Sequence, residues 1–383
     1  MSHVSTAGPR RRPLDRPILL VIVVALATGI LAGLARIGYH APAFAAERAA
    51  IHGPLLAAGV LGTLIGLERA VAFGWRSGRR WHPAYLAPAA SAVGTAWLLV
   101  AGTAVMPAQV LLAAGAAGLV AVNLAMVRAQ RSPETITMAL GAGLLLFGDL
   151  AWLAGRPVPL VVHWWVGFLV LTIVGERLDM ARLRRPGPWA LRAFGVLVAA
   201  YLVALAVIAL DADVGIRLAG AALLALTAWL LRFDVAWLTI HTPGLPRFVA
   251  ICLLAGYVWL GIGAALTLAG GLLWAGPTCD ALLHALLLGF VFSMILGHAP
   301  IVIPAILGLP LGFHPIAYLP LGVLQPAVAL RLVGDLAPAP ELRMLGGLLA
   351  AVAILLEAVA VGVMVMCGRR ARAARLAGAP RAA

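Results

Sequence analysis

The sequence predicts an all-α, polytopic membrane protein of about twelve transmembrane helices in three approximate four-helix units. Three observations carry that expectation. Of 383 residues, 63% are hydrophobic and only 11% charged, a balance that no single soluble core accommodates. The apolar runs reach the roughly 20 residues that a helix needs to cross a bilayer. The 28 basic residues, all of them arginine, gather in alternate connections.

The segments fall near 17–35, 52–73, 83–103, 106–127, 135–155, 159–178, 190–210, 215–231, 247–269, 279–299, 315–333 and 344–366. The first follows the basic stretch RRRPLDR and precedes APAFAAE. That order admits a cleaved signal peptide, whereas the apolar length favours a retained anchor. The connections LRRPGPW at 183–189 and RFDVAWLTIHTPGLPRF at 232–248 are turn-rich loops and not domain boundaries. The chain therefore reads as one integral membrane domain over 1–383, with approximate repeats at 17–127, 135–231 and 247–366 and a basic tail at 368–383.

Arg10 to Arg12, Arg76, Arg79, Arg80, Arg128, Arg131, Arg182, Arg184, Arg185, Arg232, Arg247 and the arginines from Arg369 to Arg375 lie in the termini and the even-numbered connections. The positive-inside rule then places both termini in the cytoplasm of a bacterial-type inner membrane. Orientation and contact with anionic lipid account for the net charge of +14, so nucleic acid is not an expected partner. The three cysteines, Cys252, Cys279 and Cys367, show no metal-binding spacing and read as small apolar packers.

Self-comparison brings out three stretches that align without gaps: GVLGTLIGLERA from Gly59, GFLVLTIVGERL from Gly167 and GFVFSMILGHAP from Gly289. Nine residues after each glycine stands a polar group, Glu68, Glu176 and His298 in turn. Before each glycine stands a histidine: His52, His163 and His284. At about 1.5 Å rise per residue these imidazoles differ in depth by only roughly 4–5 Å. At about 100° per residue, however, His52 and His163 share a side of their helices while His284 is turned away by at least about 100°.

Ionisable groups inside a membrane are costly and normally face the bundle interior. Histidine also ligates metals and haem iron, because one ring nitrogen keeps a lone pair while the other donates a hydrogen bond. His52, His163 and His284 are thus candidate ligands of haem or a metal, against the plainer alternative of hydrogen-bonded packing residues. Trp164 and Trp165 beside His163 read as interfacial belt residues or a porphyrin wall. Glu68 with Arg69 and Glu176 with Arg177 pin helix ends or form a proton path. Asp149 is placed to hydrogen-bond a ligating histidine. Glu357 lies near mid-membrane and Arg331 is a further intramembrane charge. His298 and His314, the latter a turn from Tyr318, form a second polar cluster. No nucleotide-binding or hydrolase signature is present.

Twelve helices in three units, with histidines near one end of the second, sixth and tenth, resemble the catalytic-subunit fold of the haem-copper oxidases. Within that group, HALLLGFVFSMILGHA, HGPLLAAGVLGTLIGLERA and HWWVGFLVLTIVGER look most like NnrS-type membrane haem and copper proteins. The resemblance implies a haem b held by His52 and His284, with His163 supplying copper ligation alongside His52 or a second haem contact. It implies a role in nitric oxide stress, denitrification or respiratory redox chemistry, with nitric oxide as the small ligand. The adjacent histidine pair and the H-P-E-V-Y stretch of true oxidases are absent, so oxygen reduction is not implied. The rival expectation is a proton-coupled secondary transporter using Glu68, Glu176 and Glu357; a structural assembly partner is a third.

Overall fold

A computed structural model describes residues 15–77, 82–101, 104–181, 184, 187–337 and 339–378. The arginines at 10–12, 79, 80, 182 and 185 lie outside the described residues. Among the described residues twelve helices are long and apolar enough to cross a membrane: α1 (Asp15–Arg36), α2 (Ala49–Gly74), α3 (Pro83–Val100), α4 (Met106–Ala129), α5 (Pro133–Leu153), α6 (Val158–Met180), α7 (Pro188–Val207), α8 (Ala212–Phe233), α9 (Leu245–Gly270), α10 (Pro277–Pro304), α11 (Pro315–Leu336) and α12 (Pro340–Ala374). Among the described residues there is no strand. The chain is a multi-pass, all-α membrane protein.

Proline marks half of the starts. Pro83, Pro133, Pro188, Pro277, Pro315 and Pro340 each open a span, where the missing N–H is one the helix could not have bonded anyway. Asp211 caps α8 by accepting from the Val214 amide at 3.1 Å. Large apolar side chains stay exposed on the outer surface, among them Leu20, Val196 and Leu355, as lipid-facing positions require. The interior is apolar and close-packed, with Trp165, Phe168, Tyr201, Phe248, Tyr257 and Phe290 almost wholly buried.

Most sequential helices pack as neighbours, and α12 returns to close against α1. At the centre α2, α6 and α10 touch one another pairwise, and α6 and α2 are the most buried of the spans. Glycine lets the surrounding helices close on them. A Cβ at Gly289 would stand 2.5 Å from the Trp259 indole of α9, and one at Gly167 would stand 2.7 Å from Leu144 of α5.

Ion pairs tie the bundle at the end opposite to His52. Arg69 of α2 bonds Glu176 of α6. Arg177 holds Asp234 through Nε at 2.9 Å and Nη2 at 3.1 Å, and Asp234 also accepts from the Tyr257 hydroxyl at 2.7 Å and the Ala236 amide at 2.7 Å. Each glutamate–arginine neighbour pair therefore reaches across to another element, since consecutive residues on a helix do not face each other.

Two local departures from the α-helix matter for the site. Leu55–Leu61 in α2 and Ala285–Val291 in α10 are π-helical, each seven residues long. Both begin one to three residues after a histidine. Such turns are rare and concentrate at functional positions.

Candidate functional site

His52 and His284 line the same cavity, of about 390 Å³, within the range of small-molecule pockets. Its walls come from α1, α2, the start of α6, α10, α11 and α12, and are chiefly aliphatic: Leu56, Leu61, Val162, Leu287, Leu288 and Ile354 contribute.

Both imidazoles are held in the same way. Nδ1 of His52 lies 2.7 Å from the Gly29 carbonyl of α1, and Nδ1 of His284 lies 2.7 Å from the Asp280 carbonyl one turn earlier. A carbonyl only accepts, so each Nδ1 donates, and in the neutral ring Nε2 is left with its lone pair. That is the tautomer of a metal-ligating histidine with its outer hydrogen bond already made. Gly33 makes the approach of α1 possible, because a Cβ there would fall 2.7 Å from Cε1 of His52. Gly29 and Gly33 are four residues apart, the spacing that lets two membrane helices come close.

Charge collects at the edge of the cavity. Asp280 Oδ1 stands 3.9 Å from Arg36 Nη2, its Oδ2 stands 3.5 Å from Arg331 Nη2, and it also bonds Arg343. Asp335 accepts from Arg331 Nε at 2.9 Å and pairs with Arg343 Nε at 2.8 Å. Three guanidiniums thus face two carboxylates, leaving net positive charge beside the histidines. Sequence reasoning singled out Arg331 alone in this group. Its partners come from α1, α10, α11 and α12, and only the fold joins them.

The remaining candidates lie elsewhere. His163 is half-buried on α6 and is not among the cavity residues. His52 and His284 line this cavity without His163, so the expectation of His163 as a shared haem or copper ligand is not met by its lining. The calculated turning of His284 away from His52 does not separate them: both line one cavity, from helices that stand on different sides of it. Asp149 reaches no histidine; it accepts from Trp165 Nε1 at 2.9 Å. Trp165 stacks edge-on against Trp152 and Trp164 packs on Phe147, so the indole pair is neither a lipid belt nor a wall of this cavity.

Glu68 and Glu176 sit with Arg69 at the far end of α2 and α6. His298 is 14 residues from His284, about 20 Å along α10, with Nδ1 2.6 Å from the Met294 carbonyl. His314 is exposed and its Nδ1 accepts from the Ile316 amide at 3.1 Å, capping a turn. Glu357 is buried on α12, with neither carboxyl oxygen hydrogen-bonded. Among the described residues no three His, Cys, Asp or Glu side chains are grouped as ligands of a bare ion. The cysteines are free, and Cys279 lines the cavity.

Residues 15–366 match the family described as Domain of unknown function (DUF8744), and the chain belongs to it. No curated protein and no solved structure matches the chain.

Proposed function

We propose that this member of the DUF8744 family is a haem-binding membrane protein of the NnrS kind, with His52 and His284 as the two protein ligands. The observation that carries the reading is the matched pair of imidazoles on one apolar cavity, each with Nδ1 committed to a carbonyl and Nε2 free. A macrocycle brings four nitrogens of its own and asks the protein for only one or two axial donors. Among the described residues no three His, Cys, Asp or Glu side chains are grouped as ligands of a bare ion, which suits haem better than a copper ion, which the resemblance would have placed at His163 and His52.

The chain's own groups divide the remaining work. Arg36 and Arg331 supply positive charge where the carboxylates of a haem would need it. Leu287, Leu288 and Phe292 from α10 and Leu56 and Leu61 from α2 give the cavity an apolar lining, which lowers the local dielectric around a bound group and strengthens each polar contact. The Gly29 and Asp280 carbonyls fix the two rings. Bound there, haem iron would supply a centre for a small gaseous ligand, for which nitric oxide is the candidate. With both termini cytoplasmic in an inner membrane, the cavity would lie toward the periplasmic side.

Purified protein expressed with ample haem tests this directly. A Soret band is expected, lost in His52→Ala and His284→Ala; properly folded protein without the band overturns the reading. The buried, unbonded Glu357 supports a second reading, a proton-coupled secondary transporter. Uptake into proteoliposomes that Glu357→Gln abolishes would favour it.

A further inference from the structure

We propose that Glu357 is a proton-exchanging carboxyl that serves the cavity between His52 and His284. The proposal uses the cavity of the preceding reading and holds whatever its occupant.

The buried acids divide by what they touch. Asp234 has Arg177, Tyr257 and the Ala236 amide; Asp149 has Trp165; Asp335 has two guanidiniums. Glu357 is 7% exposed, and neither Oε1 nor Oε2 has a hydrogen-bond partner. An anion held at that depth with no hydrogen-bond partner is costly, so the carboxyl is suited to hold a proton and release it only where a base can reach it.

Its place on α12 says where that is. Gly347, Ala350, Ala351 and Ile354 of α12 line the cavity. Glu357 lies one turn beyond Ile354, about 4.5 Å further along the axis, turned by roughly 20° from Ala350 and by about 60° from Ile354. The mouth of the cavity is at the N-terminal end of α12, where Arg343 meets Asp280. Side chains on a helix lean toward its N-terminus and cover the preceding turn. Glu357 therefore stands one turn below the lining, on the side of α12 that Ala350 presents to the cavity.

The groups facing it leave that route open. Cys252 of α9 is the titratable neighbour within electrostatic reach. On α11, Arg331 and Asp335 are engaged with each other, with Asp280 and with Arg343. On α10, His298 has its Nδ1 on the Met294 carbonyl, and on α1, Arg36 is at the mouth beside Asp280. In the proposed step the Glu357 O–H bond breaks and the proton passes to water or to a small base in the cavity; it returns by the same path, and no electron moves.

Infrared spectroscopy of the full chain in lipid nanodiscs, without added haem, tests the proposal. Wild type should show a carboxylic-acid carbonyl band that Glu357→Gln removes and that shifts on transfer to D₂O. Ile354→Phe and Leu288→Phe, which fill the cavity from α12 and from α10, should each slow the shift by about tenfold, the factor for a path that opens by a fluctuation costing ~1.4 kcal/mol. Two variants on different helices guard against one failing to fold. No band removed by Glu357→Gln, a band that D₂O does not shift, or a shift unchanged by both fillings would each overturn it. Loss of the Soret band with exchange intact would sink the haem reading and leave this one standing.

Discussion

Gly33→Ala is the most informative single change, because it adds one carbon against the ring of His52 without touching the cavity's charged groups. The new Cβ would lie 2.7 Å from Cε1, 3.1 Å from Nδ1 and 3.3 Å from Nε2 of that ring. To restore an ordinary contact of 3.4 Å, the ring must retreat by 3.4 − 2.7, about 0.7 Å. Its Nδ1 bond to the Gly29 carbonyl, now 2.7 Å, would stretch toward 3.4 Å and lose most of its strength. A hydrogen bond of this kind contributes about 1 kcal/mol net, and disturbing the outer partner of a ligating histidine typically weakens ligand affinity by about 10–100-fold. We expect Gly33→Ala to weaken haem binding by about tenfold, near the lower end of that range. The assay is titration of haem-free protein with haem, followed in the Soret region. Gly143→Ala is the control, since a Cβ there meets nothing within 4 Å. Affinity within twofold of wild type in folded Gly33→Ala, or an equal loss in Gly143→Ala, would refute the reasoning.

Other changes separate the candidate residues by role. His163→Ala should leave the Soret band in place while His52→Ala and His284→Ala each abolish it, measured on protein of equal helicity. Asp149→Ala should cost roughly 1–3 kcal/mol of stability by stranding the Trp165 N–H, read as a lower thermal midpoint, with haem binding unchanged. Asp234→Ala should destabilise by about 3–5 kcal/mol, because it leaves the Arg177 guanidinium buried and unpaired; a midpoint equal to that of wild type would show that the clamp is not structural.

Much of the architecture was legible because a bilayer imposes a length on every helix. The spans predicted from apolar runs each correspond to a helix, with ends that differ by a few residues; the largest difference is at α12, where an arginine-rich stretch that the hydropathy pattern treated as tail continues the helix to Ala374. That His52 and His284 stand at one level, where both line one cavity, was also legible, since depth follows from counting residues. Azimuth was not, because which face of a helix meets the cavity depends on where its neighbours stand, and no residue count gives that. The cationic cluster was invisible for another reason: Arg36, Asp280, Arg331, Asp335 and Arg343 lie on four helices, and no local pattern joins them. Asp149 was misassigned because its depth matched the histidines while its direction, toward Trp165, is set by the packing of α5 on α6.

The paired π turns bear on how such a bundle changes over time. A π turn holds about one residue more than an α turn, so each of its residues advances the helix by less than about 100°. Inserted in α2 and α10, it acts as a rotary coupling between two halves of a rod. In α2 the far half stays locked by Arg69 to Glu176, while the near half is free to take whatever heading presents its imidazole to the cavity. Gain or loss of one residue within 55–61 or 285–291 re-aims a histidine without disturbing the anchored half. The ligand-facing end and the load-bearing end of one helix can thereby answer to separate selective pressures.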